Sequence, residues 1–130
     1  DNFRLALEAG MFKSAKRSID LFLARNPQSA EAYFYLGEVY RQRQEKSKRK
    51  KKYDKTADYV EALKAYEQAL SWDAGFAPAF RGKGRVLQKQ GKINEAKAAF
   101  KEYLRLAPQA DDHEYIEQFL TQDQEGKPQG

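Results

Sequence analysis

The feature that most restricts how this sequence can fold is an internal repeat. Three segments share a small residue, a large residue four positions later and a third residue three positions after that: Ala15-x3-Ile19-x2-Phe22, Ala62-x3-Tyr66-x2-Ala69 and Ala96-x3-Phe100-x2-Tyr103. The second and third segments begin 34 residues apart, whereas the first and second begin 47 apart. Gly37 and Gly84 are also 47 apart, so the period is 34 residues with one insertion of 13. A fixed period of this length is typical of a stacked repeat array.

The spacing of apolar residues predicts helices. Tyr33, Leu36, Gly37 and Tyr40 recur three and four residues apart, which places them on one face of a helix. Residues that stop helices or start turns interrupt the pattern at four places: Asn26-Pro27, Asp73–Gly75, Gln90–Lys92 and Ala107-Pro108. We therefore expect an all-α fold of helix pairs joined by short turns, in which each pair buries its apolar face against its neighbours.

Small residues occupy the positions where the axes of paired helices are expected to cross. These residues are Ala15, Gly37, Ala62, Gly84 and Ala96. Aromatic residues are expected to fill the space beside them, namely Tyr33, Tyr40, Tyr66, Phe80 and Phe100.

The insertion, at about residues 42–57, contains most of the excess positive charge. The whole chain has a formal net charge of +5, from 24 basic and 19 acidic residues, but the segment 41–58 alone carries +6. One interpretation is anion binding through Lys48, Arg49, Lys50, Lys51 and Lys52, with nucleic acid or an anionic membrane surface as partner. The alternative is that the first helix of the second repeat continues past Tyr40 and ends in a solvated loop.

Composition argues against several kinds of active site. The chain has no cysteine and one histidine, His113, so thiolate metal sites, cysteine nucleophiles and multi-histidine centres are excluded. The cluster Asp111–Glu114 lies at the expected start of a short helix, where acidic side chains favour the helix dipole. We expect no catalytic residue, no metal and no cofactor. No apolar run approaches the roughly 20 residues of a membrane span, so we expect a soluble protein, cytoplasmic or periplasmic.

The repeated segments resemble the tetratricopeptide repeat. The residues that carry the resemblance are Tyr33-x2-Leu36-Gly37-x2-Tyr40 with Ala62-x3-Tyr66-x2-Ala69, and Phe80-x3-Gly84-x2-Leu87-x8-Ala96-x3-Phe100-x7-Pro108. Lys83, Phe22, Tyr103 and Ala74 depart from the family pattern. The closing stretch Leu106–Asp111, with Tyr115 and Ile116, is similar to the end of bacterial arrays of this family.

The resemblance implies a right-handed superhelix of antiparallel helix pairs with a C-terminal capping helix. We expect a domain over residues 1–120, with a partial first repeat at 1–27, a second at 28–74 and a third at 75–108. The capping helix is expected at 111–122, with Tyr115, Ile116, Phe119 and Leu120 on one face, and a polar tail at 123–130. Because the chain begins at Asp1, we expect it to be a piece of a longer protein.

The resemblance also implies a non-catalytic protein-interaction or scaffold module with a concave peptide-binding groove. The groove residues implied in this way are Phe34, Tyr35, Glu38, Arg41, Arg81, Arg85 and Lys89. Arg81, Arg85 and Lys89 lie four residues apart and form one basic stripe on a helix, which suits a peptide with an acidic side chain or terminal carboxylate. Phe34 and Tyr35 would hold an apolar side chain of that peptide.

Two alternatives remain open, and one is disfavoured. The basic stripe could be a solvated face, with Phe34 or Tyr35 packed on the preceding helix pair, or the array could be a scaffold for an enzyme domain elsewhere in the parent protein. The chaperone-binding carboxylate clamp of the family is disfavoured, because the positions of its asparagine and basic residues hold Arg4, Tyr35, Pro78 and Gly82.

Overall fold

The computed structural model of the chain describes residues 2–47 and 57–126. The described residues form seven α-helices and no β-strand: α1 (Asn2–Glu8), α2 (Phe12–Arg25), α3 (Ala30–Lys46), α4 (Ala57–Trp72), α5 (Ala77–Lys89), α6 (Ile93–Leu106) and α7 (His113–Gly126). Within these ranges, no helix has the length and apolar character that crossing a membrane requires.

The two turns within the first and third helix pairs have the same structure. Gly10 and Gly91 both have positive φ angles, 76° and 80°. The amide N–H groups of Gly10 and Met11 donate to the carbonyl groups of Leu7 and Ala6, each at 2.9 Å. The corresponding groups of Gly91 and Lys92 bond to Gln88 and Leu87 at 3.0 and 2.9 Å. Because a glycine adopts this left-handed conformation without strain, it ends one helix and reverses the chain into the next.

The helices pack as pairs, and the pairs stack in chain order. The most extensive contacts are between α3 and α4 and between α5 and α6, followed by α1 with α2. Contacts between α2 and α3 and between α4 and α5 join successive pairs. The helix α7 covers the last pair, because Ile116, Phe119 and Leu120 pack against the apolar cluster around Phe100. The result is the all-helical superhelix of helix pairs that the family resemblance implies.

Glycines at the helix crossings lie directly against aromatic rings, as the sequence predicts for Gly37 and Gly84. A Cβ atom on Gly37 would lie 2.6 Å from the ring of Tyr66, and one on Gly84 would lie 2.7 Å from the ring of Phe100. Gly82 of α5 makes an equally close approach to the Tyr66 ring, at the atoms next to its hydroxyl. The Tyr66 ring therefore lies directly against the backbones of both α3 and α5, and any side chain at Gly37 or Gly82 would displace it.

The two ends of the insertion are fastened together. The helix α3 continues six residues past Tyr40, to Lys46, and α4 begins at Ala57. Arg43 donates to both carboxylate oxygens of Asp58, at 2.9 and 3.0 Å, and Gln44 accepts from the Asp58 amide at 3.2 Å. The basic residues Lys48–Lys52 lie outside the described residues.

The last helix differs in its limits from the expected 111–122. It begins at His113 and extends to Gly126, four residues into the expected tail. Glutamine and glutamate, which dominate residues 122–125, have good helix propensity, and glycine ends the helix.

Candidate functional site

A cleft of about 660 Å³ lies between α5 and α7. Four of its lining residues come from consecutive turns of α5, two from the first turn of α7 and one from the residue before α7. The full set is Glu45, Arg81, Arg85, Gln88, Lys89, Phe100, Asp112, Tyr115 and Ile116. The structure thus brings together the predicted basic stripe, Arg81, Arg85 and Lys89, in one concave site. The volume is in the range of ordinary ligand-binding pockets.

Arg81 is bound to the acidic residue that precedes α7. Its Nε donates to Oδ2 of Asp112 at 2.6 Å, and the hydroxyl of Tyr103 donates to Oδ1 of the same carboxylate at 2.8 Å. Burial opposes ionisation of Asp112, but the hydrogen bonds from Arg81 and Tyr103 outweigh it and lower the pKa of Asp112. Burial and this hydrogen bond raise the pKa of Tyr103 to about 12. The charge of Arg81 is therefore already compensated by Asp112.

The positive charges of Arg85 and Lys89 are not compensated by the acidic side chains of the cleft. The two residues lie one helical turn apart on α5 and both line the cleft. Among the residues that the structure describes, neither has a hydrogen-bond or ion-pair partner. Arg85 is half-buried and Lys89 is exposed. Two unpaired cations at this spacing can bind one carboxylate together or two carboxylates of one ligand.

The cleft also has an apolar floor and an aromatic side wall. Phe100 and Ile116 are buried and form the floor. Tyr115, from the first turn of α7, lines the same cleft but is 69% exposed. The four residues expected on one face of α7 therefore differ in burial. Ile116 is buried and Phe119 and Leu120 are partly buried, whereas Tyr115 lies at the exposed edge of that face.

Phe34 and Tyr35 lie outside this cleft, in a continuous cluster of aromatic rings. The Phe34 ring centroid is 5.0 Å from that of Tyr35 and 5.7 Å from that of Phe76, and Tyr35 is 5.5 Å from Phe3. Both residues are half-buried. Their rings thus join neighbouring helix pairs, and their contacts lie mainly within the protein.

Glu38 and Arg41, which the sequence predicts to line the groove, are instead buried. They are 6% and 5% exposed, and Nη2 of Arg41 donates to Oε1 of Glu38 at 2.6 Å. The hydroxyl of Tyr66 donates to the other oxygen of Glu38 at 2.6 Å. Arg41 also donates through Nη1 to both oxygens of Glu45, each at 3.2 Å, and so compensates the acidic residue that lines the cleft.

The electrostatics of this buried group are mutually stabilising. Burial opposes the charge of Glu38, but Arg41 and the hydroxyl of Tyr66 outweigh it and lower the pKa of Glu38. Burial and the neighbouring carboxylate raise the pKa of Tyr66 well above its usual value of 10.0. The Glu38 carboxylate and the Arg41 guanidinium are therefore both charged and satisfied inside the array, and neither is free to bind a ligand.

The part of the chain that the structure describes contains no cluster of three acidic or histidine side chains that could hold a metal ion. Nε2 of His113 lies 3.6 Å from Oε2 of Glu117, one turn further along α7. This contact is a local pair on the helix surface.

Comparisons with known proteins agree with this architecture. Two models of the tetratricopeptide repeat match the chain, one over residues 56–121 and one over residues 1–48. No curated protein has significant sequence similarity to it.

Several solved structures have the same fold. The crystal structure of MamA matches with a TM-score of 0.75 and 21% identity, over 97% of this chain and 64% of that one. The second TPR domain of human RPAP3, in complex with the HSP70 peptide SGPTIEEVD, matches with a TM-score of 0.73 and 22% identity, over 95% of this chain and 90% of that one. A thermophilic TPR protein of Thermus thermophilus matches with a TM-score of 0.76 and 22% identity, over 92% of this chain and 59% of that one.

This chain therefore spans less than two thirds of the MamA and Thermus proteins that it matches. None of the comparisons supports anion binding through the insertion. The residue spacing, the stacked helix pairs and the match of a repeat model to half of the sequence establish that the chain belongs to the tetratricopeptide repeat family.

Proposed function

We propose that this chain is a protein-interaction module that binds an acidic peptide segment of its partner in the cleft between α5 and α7. The observation that carries the proposal is the pair of uncompensated cations, Arg85 and Lys89, one turn apart in a concave site. A carboxylate is the peptide group that pairs most strongly with a guanidinium, because it accepts two parallel hydrogen bonds.

The other charges of the cleft favour the same class of ligand. Both acidic residues that line it are compensated within the protein, Glu45 by Arg41 and Asp112 by Arg81. An incoming carboxylate therefore meets two free cations without having to displace an existing ion pair. Because the half-buried position of Arg85 limits screening by water, its interaction with that carboxylate is stronger than at a fully exposed site.

Structural relatives support a peptide ligand of this charge. The human RPAP3 domain holds the peptide SGPTIEEVD, and the second TPR domain of Spaghetti holds the HSP90 peptide SRMEEVD. Both peptides carry adjacent acidic residues. In this chain Gly82 is packed against Tyr66 and supplies no side chain to a ligand, so the basic residues of the proposed site are Arg85 and Lys89.

The proposal is tested with a synthetic array of fluorescent nonapeptides. Each member has two glutamates at a different pair of positions in a background of glycine, serine and isoleucine, and each has a counterpart with glutamine in place of glutamate. Several glutamate peptides should bind at least about tenfold more tightly than their glutamine counterparts, and the double variant Arg85→Glu/Lys89→Glu should lose that difference.

A matched control separates a specific site from general charge attraction. Lys13 and Arg17 are both exposed and lie one turn apart on α2, outside the cleft. The variant Lys13→Glu/Arg17→Glu makes the same change in net charge and should bind the glutamate peptides as the wild type does. Equal losses in the two double variants, or equal binding of glutamate and glutamine peptides, would overturn the proposal.

A further inference from the structure

The capping helix contributes directly to the proposed site. Resting on the proposed acidic-peptide function, we infer that Tyr115 of α7 selects a peptide in which a large apolar side chain lies next to the acidic residue bound by Arg85 and Lys89. This assigns to α7 a role in specificity in addition to its role in covering the last helix pair.

The packing of α7 on the last helix pair does not depend on Tyr115. The apolar contacts of this helix with α6 are made by Ile116, Phe119 and Leu120, while Tyr115 is 69% exposed. Yet Tyr115 lines the same cleft as Arg85 and Lys89, above a floor formed by Phe100 and Ile116. A large ring beside a buried apolar floor and next to unpaired cations is the arrangement expected of an anchor for an apolar ligand side chain.

Asp112 fixes the position of the start of α7, which forms the aromatic side wall of the cleft with Tyr115. The backbone carbonyl of Asp112 accepts from the amide of Ile116 at 3.0 Å, and its carboxylate is held by Arg81 and by the hydroxyl of Tyr103. The start of α7 is therefore attached to both α5 and α6. Arg81 acts as a positioning residue for the wall that carries Tyr115, and the ligand carboxylate is left to Arg85 and Lys89, further along α5.

The size of the cleft limits the ligand to a short segment. A volume of about 660 Å³ accommodates a few side chains. Because successive side chains of an extended peptide point to opposite faces, an acidic residue and its apolar neighbour can point to the basic side of the cleft on α5 and to the aromatic side on α7. A purely acidic segment would use the basic side alone.

The inference is tested with the same array, synthesised a second time with glycine in place of isoleucine. The wild type should bind the best glutamate peptides with apolar neighbours about tenfold more tightly than their glycine versions. Tyr115→Ala should remove this preference and leave binding of the glycine versions unchanged. Trp72→Ala, which removes an exposed ring on α4 outside the cleft, should keep the preference.

The outcomes separate this inference from the proposed function. If no glutamate peptide binds better than its glutamine counterpart, both fail. If glutamate peptides bind but apolar neighbours have no effect, or if Tyr115→Ala keeps the preference or weakens all peptides equally, the selection by Tyr115 is wrong while acidic-peptide binding stands. Circular dichroism of Tyr115→Ala shows whether the exposed substitution leaves the helices intact.

Discussion

The hydroxyl of Tyr66 donates a hydrogen bond of 2.6 Å to the carboxylate of Glu38, across 28 residues of sequence. This bond joins the second helix of one repeat to the first, at the point where Gly37 and Gly82 lie directly against the tyrosine ring. The same carboxylate is paired with Arg41, so the interior of this array contains a buried and paired polar group.

Removing the Tyr66 hydroxyl should destabilise the fold. Tyr66→Phe keeps the ring but withdraws a donor from a buried carboxylate, and we expect a loss of about 1 to 3 kcal/mol in the free energy of unfolding. Urea denaturation measures this loss. Tyr115→Phe removes the hydroxyl of an exposed tyrosine and should change the free energy by less than about 0.5 kcal/mol. Equal stability of Tyr66→Phe and the wild type would contradict the prediction.

Stability should fall on both sides of a neutral plateau of pH. The pKa of Glu38 is lowered in the folded state, so its contribution is present above its usual value of 4.5 and is lost as pH falls below it. The pKa of Tyr66 is raised, so its contribution is present below its usual value of 10.0 and is lost as pH rises above it.

Two variants test which side chains cause the loss of stability at acidic pH, the acidic limb, and at alkaline pH, the alkaline limb. In urea titrations between pH 3 and 11, Glu38→Gln should flatten the acidic limb and Tyr66→Phe the alkaline limb, whatever their effect on stability at pH 7. An acidic limb with the same slope in Glu38→Gln would show that other carboxylates dominate it.

Adding one methyl group at a helix crossing should be harmful. Gly37→Ala places a Cβ atom 2.6 Å from the ring of Tyr66. The close contact of the ring with Gly82 and the hydrogen bond of its hydroxyl to Glu38 limit how far the ring can move. Although alanine has the higher helix propensity, we expect a net loss of about 1 to 3 kcal/mol in the free energy of unfolding. At Gly75 the nearest atom would be 3.7 Å away, so Gly75→Ala should be nearly neutral. If Gly37→Ala were as stable as Gly75→Ala, the close contact between a Cβ atom at position 37 and the Tyr66 ring would be refuted.

Releasing Asp112 should loosen the start of α7 locally. Asp112→Ala removes the carboxylate that Arg81 and Tyr103 hold, and we expect faster hydrogen exchange at residues 113–119, with a global change under about 1 kcal/mol because the ion pair is partly exposed. Hydrogen-exchange mass spectrometry of α7 measures this. Asp111→Ala, at the exposed neighbouring residue, is the control and should exchange as the wild type does. Unchanged protection in Asp112→Ala would show that apolar packing alone holds the helix.

The repeat pattern predicts most of the fold because the information is local. Turn residues such as Gly91 determine where helices end, and small residues such as Gly84 determine where helices approach each other. The 34-residue period repeats both signals along the chain. The basic stripe of α5 is equally local, since three residues at a spacing of four lie on one face wherever the helix is placed.

The parts of the site that the sequence does not predict depend on partners distant in the chain. Arg41 turns inward because Tyr66, 25 residues later, offers its hydroxyl beside Glu38. Arg81 is compensated by Asp112, 31 residues away. Tyr115 shares a face of α7 with Ile116 by its spacing, and only the packing of α7 on α6 leaves it exposed in the cleft that Arg85 also lines. The sequence contains one signal for the buried pair of Glu38 and Arg41. Tyr66 occupies a predicted core position, and a buried tyrosine hydroxyl needs a polar partner.

The most direct test of the account is an NMR titration of the isotope-labelled chain with the tightest glutamate peptide of the array and with its glutamine counterpart. The glutamate peptide should shift the side-chain Nε–Hε signal of Arg85 and the amide signals of Lys89 and Tyr115, and the glutamine peptide should leave them in place. Shifts confined to α1 and α2 or to the basic insertion, with α5 and α7 unaffected, would contradict the account.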